Sequence, residues 1–168
     1  VEVGDGSREV MPFESIDITT FFMFDGLSNF AYYKEADRRH RRRLVIARQC
    51  MKRIDRVVRC STPEFCLGKL HLLKAERDSL VRRRHKSAVR NYTIAIAMAH
   101  SNNRLMDEAV AHEQYGRFLE SIGKTTASLT QLRKACSLYQ QWNGFKKVEL
   151  LQAEINLKSM DASSRTLY

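Results

Sequence analysis

Seven glycines and two prolines in 168 residues leave little material for tight turns. All-β architectures need such residues every few positions, so the scarcity argues against that class. The four cysteines, Cys50, Cys60, Cys66 and Cys136, show no CxxC spacing. A chain of this length buries a core without covalent staples, so they read as reduced thiols of an intracellular protein. No run of about 18 apolar residues occurs, which removes a membrane helix. Phosphate-binding loops are missing too: there is no GxxxxGK[ST] and no GxGxxG, and Gly123-Lys124-Thr125 reads as a turn between helices.

Reactive constellations are equally scarce. The histidines are His40, His71, His85, His100 and His112. Cys60, Cys66 and His71 lie six and five apart, whereas two ligands on one helix face need a spacing of about three or four. No metal ligand set and no cofactor site is read from them. No GxSxG or similar signature accompanies a nucleophile. Cys50 lies among bases but also beside an apolar stripe, and reads as a core thiol. An enzyme using Cys50 or His71 is the weakest alternative, and no catalytic residue is assigned.

What the chain does have is positive charge in two places. Lys and Arg number 29 against 19 acids, a formal charge of +10. Residues 1–30 hold one Arg and six acids, residues 31–60 hold eleven bases and three acids, and residues 81–90 hold five bases and no acid. The runs are Arg38, Arg39, His40, Arg41, Arg42, Arg43 and Arg82, Arg83, Arg84, His85, Lys86. The bland reading is a solvated helix face and a solvated turn; the functional one is a grip on phosphates, RNA or an acidic partner, or a nuclear-import signal. No aromatics interleave with either run, which argues against sequence-specific RNA recognition.

Apolar spacing is helical throughout. Leu44, Ala47, Met51, Ile54 and Val58 form one stripe. Thr19 or Thr20 caps a first helix bearing Phe21, Phe22, Phe24, Leu27 and Phe30, aromatics that need cover. Thr62-Pro63 starts another helix, to about Arg82, and further helices follow over 86–101, 104–122, 125–141 and 145–159, with Gly123 as a helix stop. Residues 1–18 read as a linker, 19–160 as a helical domain (basic first helices 19–60, repeats 63–160) and 161–168 as a frayed tail. A chain that starts on Val1 is expected to be a fragment or a processed product, and its acidic beginning does not suit a leader peptide.

The helices repeat. Ala75-Glu76 matches His112-Glu113 at a distance of 37 residues, and Ala95 matches Ala135 at 40. Ala75, Ala95 and Ala135 are small enough for close helix crossings. Glu76 and Glu113 read as partners for a neighbouring helix's Lys, Arg or Tyr hydroxyl. The fold class is therefore all-α, antiparallel helix-pair repeats of six to seven helices.

Residues 66–153 carry a resemblance. Lys69-Leu70-His71-Leu72-Leu73-Lys74-Ala75-Glu76-Arg77 is followed by Ala88, Tyr92, Ala95-Ile96 and Ala99, then by Asp107-Glu108-Ala109, Ala111-His112-Glu113 and Gly116-Arg117-Phe118, and finally by Ala135, Tyr139, Trp142, Gly144 and Lys146-Lys147-Val148-Glu149-Leu150. The set resembles the tetratricopeptide-like helical region of large signalling ATPases. In that family a kinase-like domain and a P-loop ATPase module commonly precede the repeats, and sensor modules, often with a histidine kinase or cyclase, follow. Where the family usually shows Trp-Gly-Ala this chain has Trp142-Asn143-Gly144, and the Asn reads as an insertion that shifts the register into the last helix. The resemblance implies a right-handed solenoid and a cytoplasmic, non-catalytic connector that holds protein partners or neighbouring domains of its own chain. The alternative is a free-standing basic adaptor for RNA or acidic partners.

Overall fold

A computed structural model describes residues 18–35, 40–60 and 63–165. Of the features read above, the linker up to residue 17, Arg38, Arg39, Thr62 and residues 166–168 lie outside that range. The described residues form seven helices and no strand: α1 (Ile18–Glu35), α2 (Arg41–Cys60), α3 (Pro63–Leu80), α4 (His85–Ser101), α5 (Leu105–Ser121), α6 (Thr125–Gln141) and α7 (Phe145–Arg165). The chain is all-α, and no described helix is long and apolar enough to cross a membrane.

Each helix packs on the next. The closest pairs are α1 with α2, α3 with α4 and α5 with α6; α1 also touches α3, and α3 touches α5. Helices of 17 residues are about 25 Å long. The three-residue connections between them cannot span that length, so neighbours run antiparallel.

The turns keep strict time. The described non-glycine residues with positive φ are Arg83, Asn103 and Asn143, and Gly123 joins them at φ +78°. The spacing is twenty positions each time. At three of the four the helix closes alike: Arg104 N–H donates to the Ala99 carbonyl, Lys124 N–H to Leu119 and Gly144 N–H to Tyr139, at 2.8–2.9 Å. The residue before each donates to the carbonyl three positions back. This is the Schellman closure, which needs a left-handed residue at its apex. Asn143 is that apex, so it preserves the register into α7 and inserts nothing. The repeat is therefore one helix pair, two turns long, as from Asn103 to Asn143. Ala95 and Ala135 are equivalent by this measure, but the equivalent of Glu76 is Gly116, so Glu76 and Glu113 stand one helical turn out of register.

Asn and Gly are the residues that tolerate left-handed backbone; Arg83, at φ 48°, is the exception. Arg83→Gly is expected to raise stability by about 0.5–1 kcal/mol, visible as a rise of about 1–4 °C in Tm.

The core runs the length of the stack. The α2 stripe is buried through Leu44, Ala47, Met51 and Ile54, and Ala75, Ala95 and Ala135 are at most 2 % exposed. Gly116 allows α5 to meet α6: a Cβ there would lie 2.9 Å from Leu132 and 3.3 Å from the Ser128 carbonyl. The first helix departs from the sequence reading. Thr19 and Thr20 are buried within α1 rather than capping it, and Phe21 and Phe24 are exposed while Met23, Leu27 and Phe30 are buried. The physical reason is Gly26. Its missing side chain admits Leu73 and Cys50, and this close approach selects the face of α1 that turns inward. At the other end, α7 continues to Arg165, past the frayed tail expected from residue 161.

Candidate functional site

A groove of about 430 Å³ lies between α1 and α5, closed at one end by the α6–α7 turn. Phe24, Leu27 and Ala31 line its α1 wall, and Met106, Val110 and Gln114 its α5 wall. Trp142 stands half-exposed at the closed end with Tyr139 and Lys147 beside it. The two helices flank α3 without touching each other, which leaves a recess lined by the buried Leu27 and Val110 and the exposed Phe24.

Beneath the groove lies an ionic hub. Glu113, 2 % exposed, accepts hydrogen bonds from Tyr139 Oη at 2.8 Å, Lys147 Nζ at 2.9 Å and Arg117 at 2.9 Å. Arg117 also holds Glu154, and Lys158 bridges Glu154 and Glu120 at 2.6 Å each. Burial works to raise the Glu113 pKa, but the hydrogen bonds and charges of Lys147 and Arg117 outweigh it and hold the carboxyl below the usual range. Burial and the adjacent carboxylate push the Tyr139 hydroxyl well up, so it stays a donor. The hub ties α5, α6 and α7 together in charge-assisted bonds.

Glu76 has a different setting. It is buried between helices and accepts from the Tyr92 hydroxyl. Burial raises its pKa to about 7, with the Tyr92 hydrogen bond and the charge of Lys34 pulling back. Tyr92 in turn stacks on Tyr115 at 5.2 Å and lies 5.5 Å from Phe118. Another buried pair, Lys69 with Asp107 at 3.0 Å, crosses from α3 to α5 beside a void of about 10 Å³. That void suits a single water and no larger ligand. His71 meets Asn91 and His112 meets Gln131, two polar rungs whose amide members, Asn91 and Gln131, are repeat equivalents.

No family model, curated protein or solved structure matches this chain.

Arg41 and Arg42 are exposed, and Arg43 is half-buried with its guanidinium 4.3 Å from the Tyr32 ring. Arg82, Arg83, Arg84 and Lys86 are exposed on the α3–α4 turn and the start of α4, with Arg82 3.9 Å from Asp78. Trp142 caps α6 and faces the groove. Cys50 is buried and donates to Asp25 at 3.1 Å; burial and that carboxylate push its thiol up to about 12, the reverse of an activated nucleophile. Burial lowers the His71 pKa.

Two features escape the sequence reading. Arg48, Lys52, Arg56 and Arg59 continue the exposed face that Arg41 begins, and their spacing of three or four is the signal. The second is the outer face of α7. Leu150, Leu157 and Met160 are 58, 66 and 70 % exposed. With Ala153 they make a stripe at helical spacing, on the side away from the Val148, Leu151 and Ile155 that face α6.

Proposed function

We propose that this chain is a non-catalytic helical-repeat connector, a segment of a right-handed, tetratricopeptide-like array within a multidomain intracellular signalling protein of the ATPase kind. Its work is packing: it holds a neighbouring module, or a partner protein, against stacked helices. The observation that carries this reading is the uncovered apolar stripe of α7. A helical repeat buries its faces only against neighbours, and arrays that stand alone end in polar caps. A bare stripe of Leu150, Ala153, Leu157 and Met160 is a contact awaiting its other side. The groove between α1 and α5 gives the same array a second apolar recess, with Trp142 as an anchor.

Cross-linking mass spectrometry on the protein isolated from its source tests the reading. Lys146 lies exposed at the start of α7. Amine cross-links are expected from it to lysines outside residues 1–168. A protein whose Lys146 links only to lysines within those residues would not be a connector.

A further inference from the structure

We infer that the end of the array where α2, α4 and α6 begin is a binding surface for the phosphate backbone of a nucleic-acid duplex. Two arginine runs that belong to different helix pairs come together there. The levels follow from one contact: a Cβ on Gly26 would lie 2.9 Å from Leu73 and 3.5 Å from the Cys50 Cβ, so residues 26, 50 and 73 share one layer. From that layer α2 climbs nine residues to Arg41, about 13–14 Å, and α3 climbs seven to Leu80, about 10–11 Å. The first turn of α2 and the α3–α4 turn therefore stand side by side, within about 3 Å of one level. Arg41, Arg42, Arg82, Arg83, Arg84 and Lys86 are all exposed there.

Helices favour acids in their first turn, yet α2, α4 and α6 have none. At the opposite end α5 starts with Asp107 and Glu108, while α1 and α7 have no acid in their first turn. Arg83 occupies the left-handed apex that Asn or Gly fills at the three other turns. Among the described acids at this end, Asp78 is bound to Arg77 at 2.9 Å and Glu120 to Lys158 at 2.6 Å, with Glu35 exposed at the end of α1.

The chemistry favours a duplex over other polyanions. Guanidinium groups match phosphate oxygens in pairs. A protein interface would rest on aromatic or apolar anchors, and a single strand on open aromatic platforms. Of the rings at this end Tyr32 is 42 % exposed, and the Arg43 guanidinium already lies over it at 4.3 Å with His40 edge-on at 5.4 Å. What remains is charge spread over two adjacent hairpins, which suits a backbone and reads no sequence.

The test is a salt titration of binding to a fluorescent 20-base-pair duplex, as DNA and as RNA. Six phosphate contacts give a slope of log K on log salt near −5, at about −0.9 per contact. The trio Arg42→Gln, Arg82→Gln and Arg84→Gln is expected to shallow that slope by about 2.5 and to weaken binding at least about tenfold at low salt. A trio with the same net charge, Arg133→Gln, Lys134→Gln and Lys146→Gln, removes exposed bases elsewhere and is expected to shallow it by less than about 1. Circular dichroism checks that each trio keeps its helices. Equal effects of the two trios, or no saturable duplex binding at low salt, would overturn the inference. So would polyglutamate competing as well as unlabelled duplex, which would make the occupant an acidic protein.

Discussion

Replacing Glu113 by Leu is expected to cost about 3 kcal/mol and to free α7 before the rest of the stack unfolds. The carboxylate receives Tyr139, Lys147 and Arg117, one group from each of three helices. Lys147 and Arg117 are each about 40 % exposed, so they regain water when Glu113 goes. Tyr139 is 4 % exposed and cannot, and its stranded hydroxyl carries most of the cost. The measurement is hydrogen exchange: amides of α7 lose protection at lower denaturant than those of α3 and α4. Tyr139→Phe added to Glu113→Leu is expected to cost far less than Tyr139→Phe alone, because the two share one interaction. Uniform loss of protection along the chain would refute the hub.

Glu76→Gln is expected to stabilise the protein at pH 8 by up to about 3 kcal/mol, or about 6–12 °C in Tm. The folded carboxyl titrates at about 7 against an ordinary value of 4.5. Between those values the native state holds a proton that the unfolded chain has lost. Stability from this group is therefore complete below about pH 4.5 and disappears as pH rises through 7. The amide keeps an acceptor for Tyr92 and carries no charge, so variant and parent converge near pH 4.5 and diverge above it. Burial lowers the pKa of His71 and His112, and their protonation in acid takes stability from both proteins alike. The difference between the two curves isolates Glu76, and a difference independent of pH would contradict the assignment.

Helix boundaries are legible in the sequence because the turns are short and carry their own markers, as Gly123 does. The α2 stripe is legible because its polar face is so strongly charged. The orientation of α1 is not: apolar side chains surround it, and only Gly26 meeting Leu73 chooses the inner face. Lys69 shows a missed signal. It shares a face with Cys66 and Leu73, so its burial follows from spacing, but its partner Asp107 is 38 positions away. The Glu113 hub is hidden for the same reason, since Tyr139 and Lys147 are 26 and 34 residues distant. The two arginine runs look like separate features until antiparallel packing brings their levels together.

The left-handed joints at 83, 103, 123 and 143 make the chain modular. The stretch from the joint at 103 to the one at 143 is a hairpin cassette with matching ends. Duplicating such a cassette lengthens the stack by one helix pair and leaves every existing crossing in register. Gaining or losing a lone helix with its turn would instead exchange the first and second helices of every pair downstream. Length in such a protein is free to change by evolution in whole hairpins, and in no smaller step without rebuilding the core.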